Sequence, residues 1–405
     1  MALRAIALAV GTVCFATPTL GDVITDWNEI ANALVRLPPP QAHRAVAMVH
    51  LAMFDAVNSI EPTFSPYLVQ LPSERSVSKE AAAAAAASTV LAALLPTSEE
   101  VADRRRTYLA TIKDVDGKDK GVRLGEAVAQ ALLAARKTDG ADAPDDYRPR
   151  TSPGVYVGTT WLVGPNWGRV KPFTMASPSQ FRPAPPPDLS SEQWATDVNE
   201  IKRLGSRDSK ERSRSQTEDA QFWLRTGPQA YDPIVRQIVA AKNLSVVECA
   251  RFMALTSAAM ADALIAVLDA KYHYEFWRPV TAIRNGDLHG NPAVTRDASW
   301  QPLDVTPLHP EYPCAHCIVA AALAGVVETL LGSGEIPQVR LTSPTAPGVS
   351  RQWTSVRAIV DQVSAARIWA GFHYRFSTRA AEDMGWQLGR QAVRETTIPR
   401  TTAAR

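Results

Sequence analysis

Residues 245–279 read SVVECARFMALTSAAMADALIAVLDAKYHYEFWRP. Ser245 and Glu248 make the Ser-x-x-Glu pattern of a capping box, where each side chain can satisfy the other's backbone N–H. Behind that start signal, a long helical pattern runs into Ala270. Outward from this segment the helical period dominates. Ala45, Val46, Val49, Ala52, Met53, Ala56 and Val57 recur at spacings of three and four after the Pro38-Pro39-Pro40 run, which predicts one helix. Further helices are expected from Lys79 to Leu95, stopping at Pro96, from Ser98 to Thr111 and from Gly121 to Lys137. Others are expected from Ala315 to Leu331, Val356 to Ala370 and Thr378 to Val393. Strand signals are scarce, with Val155 to Val163 the best of them. The expected class is all-α.

Between Pro144 and Pro187 the pattern breaks. Ten of the chain's 30 prolines fall there, and interior prolines exclude regular helix because each removes a hydrogen bond and clashes with the preceding turn. Tyr156, Trp161, Trp167, Phe173 and Phe181 argue that the stretch is an ordered loop. The expected organisation is a signal peptide over 1–21, a helical half over 22–143, a Pro-rich loop over 144–188 and a second helical half over 189–400. No repeat period is visible.

The chain has 405 residues, 43 Lys+Arg against 41 Asp+Glu, and a formal net charge of +2. With 46% hydrophobic and 21% charged residues, it has the apolar content that a disordered chain lacks. It has no overall field to gather nucleic acid or anionic lipid. Arg4, the apolar run Ala5 to Ala16 and the small residues up to Gly21 read as an export signal, so the mature protein is expected in the periplasm or outside the cell. Cys14 lies in that run without a lipoprotein cleavage pattern. Ala81 to Leu95 and Ile318 to Leu331 fall short of the ~20 residues of a membrane helix, and no membrane span is expected in the mature form.

Three short segments carry the chemistry. In Lys271-Tyr-His-Tyr-Glu-Phe-Trp-Arg278-Pro279, two cations stand seven apart, two turns on one helix face, and Pro279 places Arg278 near a helix end. The intervening aromatics are a poor composition for a solvated face. In His309-Pro-Glu-Tyr-Pro313-Cys314-Ala315-His316-Cys317, a proline precedes a helix start, whose unpaired N–H groups can donate to an anion, with His316 in the first turn. In Arg367-Ile-Trp-Ala-Gly371-Phe-His373-Tyr-Arg375-Phe-Ser377, Arg367 and His373 converge only if the helix ends between them, and Gly371 is the place. Ser377 or Thr378 is then expected to cap the final helix.

Together these segments resemble the signature of the vanadium haloperoxidase and phosphatidic acid phosphatase type 2 superfamily: Lys-x6-Arg-Pro, Pro-Ser-Gly-His, Arg-x5-His. Lys271, Arg278, Pro279, Pro313, His316, Arg367 and His373 match. Cys314-Ala315 replaces Ser-Gly, Ala366 replaces a Ser, and Ser377 stands where the pattern has Asp. Pro172-Phe173 and the stretch Gln180 to Pro187 resemble the loop of soluble bacterial haloperoxidase-like members. The resemblance implies two four-helix bundles and a vanadate cofactor, with phosphate able to occupy the same site. By position it implies His373 as the ligand to vanadium, and Lys271, Arg278, Arg367 and the Ala315 N–H as holders of the oxyanion. His316 becomes the acid–base residue, and Cys314 stands at the serine position. The implied partners are hydrogen peroxide, a halide and a small organic acceptor. In the phosphatase branch a phosphomonoester takes their place, His373 attacking phosphorus and His316 protonating the leaving oxygen. A third reading is a helical protein that binds an oxyanion without turnover. His309 resembles the residue of bromide-oxidising members, where chloroperoxidases have Phe, so bromide or iodide is favoured. Sequence leaves oligomeric state open.

Cys314 and Cys317 form a Cys-x-x-Cys, which invites redox, zinc or haem readings. None has its companion residues, and the pair reads as two small buried residues beside the pocket. His43, His50, Asp55 and Asn58 read as structural, and Trp277 and Trp369 as pocket walls.

Overall fold

The computed structural model describes residues 22–400 apart from 114 and 159, and gives no side-chain placement for 115 and 116. The signal-peptide segment 1–21, with Cys14, lies outside the described residues. Thirteen α-helices occur among the described residues: α1 Val23–Leu34, α2 Pro39–Ile60, α3 Lys79–Leu94, α4 Glu99–Thr111, α5 Val115–Arg136, α6 Glu192–Leu204, α7 Arg214–Phe222, α8 Pro228–Lys242, α9 Val246–Tyr274, α10 Pro279–Arg284, α11 Ala315–Leu331, α12 Val356–Trp369 and α13 Arg375–Glu395. One antiparallel hairpin joins β1, Glu335–Ser343, to β2, Ala346–Ser355. The chain is mostly helical, as its periodicity predicts.

The start signal of α9 works as read. Ser245 and Glu248 form a complete capping box on α9, and Ser78 caps α3 through the Ala81 N–H. Helix α5 begins at Val115, six residues earlier than expected, because Gly121 and Gly125 are not its boundary. They are where it lies against α3: a Cβ at Gly125 would collide with the Ala82 carbonyl. The Ala-rich face of α3, buried from Ala81 to Ala87, accepts that close approach.

The core is organised around α9. It packs on α2 and α11, α3 pairs with α5, and α11 pairs with α13. By length and composition α9 could cross a membrane, contrary to the sequence reading, but 94% of its apolar window is buried inside the molecule. Its apolar surface is covered by neighbouring helices. The strand expectation also fails. Val155 makes only an isolated bridge to Phe276, and the real strands lie at 335–355, where prolines at 337, 344 and 347 mask the alternating pattern.

The Pro-rich stretch contains a single 3-10 turn, Trp167–Arg169. Asp262 of α9 holds it, accepting the N–H groups of Phe173 at 2.7 Å, Thr174 at 2.6 Å and Met175 at 3.2 Å. Asp55 of α2 does the same for Tyr67, Leu68 and Val69, and Asn58 closes on Phe64. His43 and His50 bond to the Thr226 carbonyl and to Asn28. All four are structural.

Candidate active site

Helix α9 stops at Tyr274, where Glu275 adopts the left-handed conformation (φ 50°). The chain then runs extended beside residues 154–156: Tyr156 N–H donates to the Glu275 carbonyl and Trp277 N–H to Gly154. Arg278 is therefore not on the face of α9 that carries Lys271. It is the extended N-cap of α10 (φ −77°, ψ 153°), and the reading of two cations on one rod is corrected. Pro279 and the left-handed Glu275 break the rod. Lys271, fully buried in the last turn of α9, donates to the carbonyls of Pro310 at 2.9 Å and Glu311 at 2.6 Å. Arg278 Nε donates to the His309 carbonyl at 2.9 Å. Its Nη1 donates to the Phe372 carbonyl at 3.0 Å and to His373 Nε2 at 3.2 Å, and its Nη2 to His309 Nδ1 at 3.0 Å.

Helix α11 begins at Ala315 with Cys314 as N-cap, its sulfur accepting the Cys317 N–H at 3.3 Å. Cys314 and Cys317 are joined in a disulfide, their Cα atoms 5.4 Å apart, and so are not the two separate small residues expected. One helical turn brings the positions within bridging reach. Cys314 thus has no S–H to donate to an anion. The first N–H groups of α11 have no intrahelical partners, and its first turn carries no acidic residue. His316 stands in that turn, and the Leu224 carbonyl lies 3.2 Å from its Nε2. A carbonyl only accepts, so Nε2 carries the proton and Nδ1 is the basic nitrogen.

Helix α12 ends at Trp369, and Gly371 turns the chain in the left-handed region (φ 81°). Any side chain there would strike the Gly205 carbonyl and Pro302. This is the expected break between Arg367 and His373. Arg367 Nη1 donates to the Trp223 carbonyl at 2.6 Å, its guanidinium lies 4.8 Å from the Phe372 ring centroid, and its buried Nε has no partner. Helix α13 starts at Arg375 with Tyr374 as N-cap, so Ser377 and Thr378 are inside it and neither is the cap. Glu311 Oε1 accepts the N–H of the N-cap residue Tyr374 at 3.2 Å, and Asp197 Oδ2 accepts the first-turn N–H of Phe376 at 2.6 Å.

A cavity of about 760 Å3 meets these elements, its wall including His309, Ala315, His316 and His373. Residues from 32–39 and 224–229 also line it. Lys271, Arg278 and Arg367 sit behind that wall, each at most 1% exposed, and each shifts the pKa of both His316 and His373. Trp277 and Trp369 are not among the lining residues; Trp277 stacks on Trp194 in a separate aromatic cluster. Burial, then the neighbouring positive charges, pushes His309, His316 and His373 well below the ordinary imidazole range. Burial likewise lowers Lys271 well below its ordinary value, Arg278 to about 10 and Arg367 to about 9. Burial raises Glu311 to about 7, against the opposing pull of Lys271 and Arg278.

Glu311 is the residue that the sequence did not single out. Fully buried, it accepts from His373 Nδ1 at 2.8 Å. The signal was a lone acidic residue between Pro310 and Tyr312-Pro313, in an otherwise apolar turn. Among the described residues, no cluster of three or more His, Cys, Asp or Glu side chains suits a bare metal ion. The donors here are cations and N–H groups, which suit an oxyanion.

Residues 251–399 match the family model of the VCPO second helical-bundle domain. The vanadium chloroperoxidase of Curvularia inaequalis is 24% identical over an alignment covering 88% of this chain and 79% of that protein. Among solved structures, one described as the first bacterial vanadium-dependent iodoperoxidase superposes with a TM-score of 0.79. It is 22% identical, over 94% of this chain and 97% of its own. A holo-type bacterial vanadium-dependent chloroperoxidase gives 0.70 at 21% identity, over 90% and 94%. Residues 251–399 thus resemble the second helical bundle of vanadium chloroperoxidase, and the chain as a whole has the fold of these vanadium haloperoxidase structures.

Proposed function

We propose that this protein is an exported vanadate-dependent haloperoxidase that oxidises bromide or iodide in preference to chloride. The observation that carries this reading is a charge imbalance. Three buried cations stand behind three cavity-lining imidazoles, and none of the three cations has a carboxylate within ion-pairing distance among the described residues. Lys271 and Arg278 feel the buried carboxylate of Glu311, which is turned to His373, and the carboxylate that Arg367 feels is the half-buried Asp304. Uncompensated buried charge is costly, and a bound oxyanion offsets it. The residues present fit vanadate: Arg367 Nε is buried without a partner, Lys271 has a third N–H beyond its two carbonyl contacts, and the N-terminus of α11 lacks an acid.

In this reading Lys271, Arg278, Arg367 and the Ala315 N–H hold the oxyanion, and His373 ligates through Nε2. His316 takes the proton of incoming hydrogen peroxide at Nδ1, its other nitrogen being fixed by Leu224. When bound, vanadate supplies the Lewis-acid activation of peroxide that oxidises the halide. Arg278 holds the His309 imidazole at the cavity wall, and the resemblance of that position to bromide-oxidising members supports the halide order. The Cys314–Cys317 bond leaves no thiol at the helix start for peroxide to attack. Export rests on the sequence of residues 1–21.

The same pocket accommodates phosphoryl transfer, since vanadate shares the shape of a phosphoryl group in transfer. The test is to supply orthovanadate, hydrogen peroxide and each halide to purified protein and follow bromination or iodination of a phenolic dye. No halogenation, with brisk p-nitrophenyl phosphate hydrolysis, overturns the haloperoxidase reading in favour of a phosphatase. Silence in both assays with tight phosphate binding leaves an oxyanion-binding protein.

A further inference from the structure

We infer that Glu311 is a positioning residue. It fixes His373 as the Nδ1–H tautomer, with the Nε2 lone pair presented to the oxyanion site, and so fills from the loop the place that Ser377 leaves empty. The inference deepens the function proposed above and rests on it for the identity of the anion, but not for the state of the ring. Two contacts define that state independently. Arg278 Nη1 lies 3.2 Å from His373 Nε2, and a guanidinium has no acceptor, so Nε2 must offer its lone pair. On the opposite edge Nδ1 lies 2.8 Å from Glu311 Oε1, and a carboxylate accepts the remaining proton. The two neighbours demand the same tautomer.

The sequence pattern that the three segments resemble has Asp at position 377. Here Ser377 is fully buried, inside the first turn of α13, and its Oγ lacks a partner of good geometry, as does Glu311 Oε2. The hydroxyl is still close enough to favour the charged form of Glu311. Serine at this position brings no carboxylate, and Glu311 supplies one to the imidazole from the loop before α11. Lys271 completes the arrangement. By donating to the Pro310 and Glu311 carbonyls, it clamps the backbone that carries the carboxylate. A ring already held in that tautomer need not turn when the anion arrives, only release the Arg278 N–H from Nε2, and removing such a supporting group typically weakens metal binding about 10–100-fold.

The experiment combines two readouts on wild type, Glu311→Gln and the exchange variant Glu311→Gln/Ser377→Asp. Selective 15N-histidine labelling of the protein without added vanadate reports the ring, with the His373 signal identified by its loss in His373→Ala. Titration with orthovanadate, and with inorganic phosphate, reports affinity. Wild type should show the Nδ1–H tautomer. Glu311→Gln should keep Nδ1–H where Arg278 holds Nε2 but broaden the His373 signals, because an amide can either donate or accept and no longer fixes the ring, and bind both anions about 10–100-fold more weakly. The exchange variant should recover most of both. A wild-type ring protonated at Nε2 overturns the inference without requiring any variant at position 311 to fold. An unchanged ring and affinity in Glu311→Gln, or an exchange variant as weak as the single one, does so too. Should wild type bind neither anion, the haloperoxidase reading falls, and the ring signal alone decides on Glu311.

Discussion

Helices α2, α3 and α5 on one side of the molecule and α9, α11 and α13 on the other use the same devices. A long buried helix in each set grips three successive N–H groups of a loop with one carboxylate, Asp55 in α2 and Asp262 in α9. A glycine in each set lets two helices touch through their backbones, Gly125 of α5 at Ala82 and Gly389 of α13 at Ala322. The differences concern charge. In the first set Arg44 and buried Arg136 share Asp139, at 2.9 and 3.7 Å, and the first turn of α3 carries Glu80 to complement its dipole. On the other side Lys271 of α9, Arg278 before α10 and Arg367 of α12 lack carboxylate partners among the described residues, and α11 starts without an acid. Helix α2 ends five residues after Asp55, whereas α9 runs twelve past Asp262, far enough to place Lys271 at the site. The lesson is that an anion site arises where a common scaffold withholds the compensation that its counterpart supplies.

The comparison breaks most sharply at the histidines. His373→Ala should reduce halide oxidation by the folded fraction about a thousand-fold or more. His50→Ala, equally buried but in α2, should lower the melting temperature and spare turnover in the folded fraction. The opposite pattern in the dye assay and thermal melts would move the chemistry to the other helix set.

The carboxylate grips come next. Asp55→Ala and Asp262→Ala each strand buried N–H groups, and each should cost about 3 kcal/mol in urea unfolding. Only Asp262→Ala should also raise the orthovanadate dissociation constant. Its loop continues to Arg182, paired with Asp269 of α9 at 2.9 Å, and to Pro183, which accepts from Tyr274 at the helix end near Lys271. Equal effects on affinity would show that the loop does not hold the site.

These contrasts also show how legible the molecule was in its sequence. Helix periods, the capping box at Ser245 and the break at Gly371 are local, and the structure keeps them. So is the spacing of the three cationic segments. What escaped depends on tertiary context. Arg278 leaves the helix because residues 154–156 pair with the chain at Glu275 and Trp277. Glu311 sits in an irregular turn with no period to mark it. The hairpin at 335–355 hides behind its prolines, and the correspondence between helix sets lies in contacts and leaves no repeat in the residues.

Close helix contact predicts a smaller effect. Gly125→Ala and Gly389→Ala each gain about 1 kcal/mol of helix propensity but place a methyl against a backbone carbonyl. Overpacking of that kind costs up to about 3 kcal/mol, for a net loss of about 2 kcal/mol in each. Denaturant titration of both variants checks this, and a marked inequality would mean that one helix pair can yield.

The smallest effect concerns acid. Burial lowers His43 to about 4, and its Nε2–H donates to the Thr226 carbonyl. The folded pKa lies below the unfolded value near 6.5, so the unfolded chain takes up the proton first. The stability held above pH 6.5 is therefore lost as pH falls toward 4, by about 1 kcal/mol at pH 6 from this group. His43→Gln keeps a donor for Thr226 without a titrating ring, and should reduce the difference in unfolding free energy between pH 7 and 6 by that amount. The site imidazoles differ in cause, since positive neighbours add to burial in lowering them. A bound anion cancels part of that repulsion, so saturating phosphate should change the residual pH slope of the His43→Gln variant. The contribution assigned to His43, taken as wild type minus variant, should be the same with and without phosphate. If phosphate shifts that difference, the two helix sets are electrically coupled and the division between scaffold and site is not a division in charge.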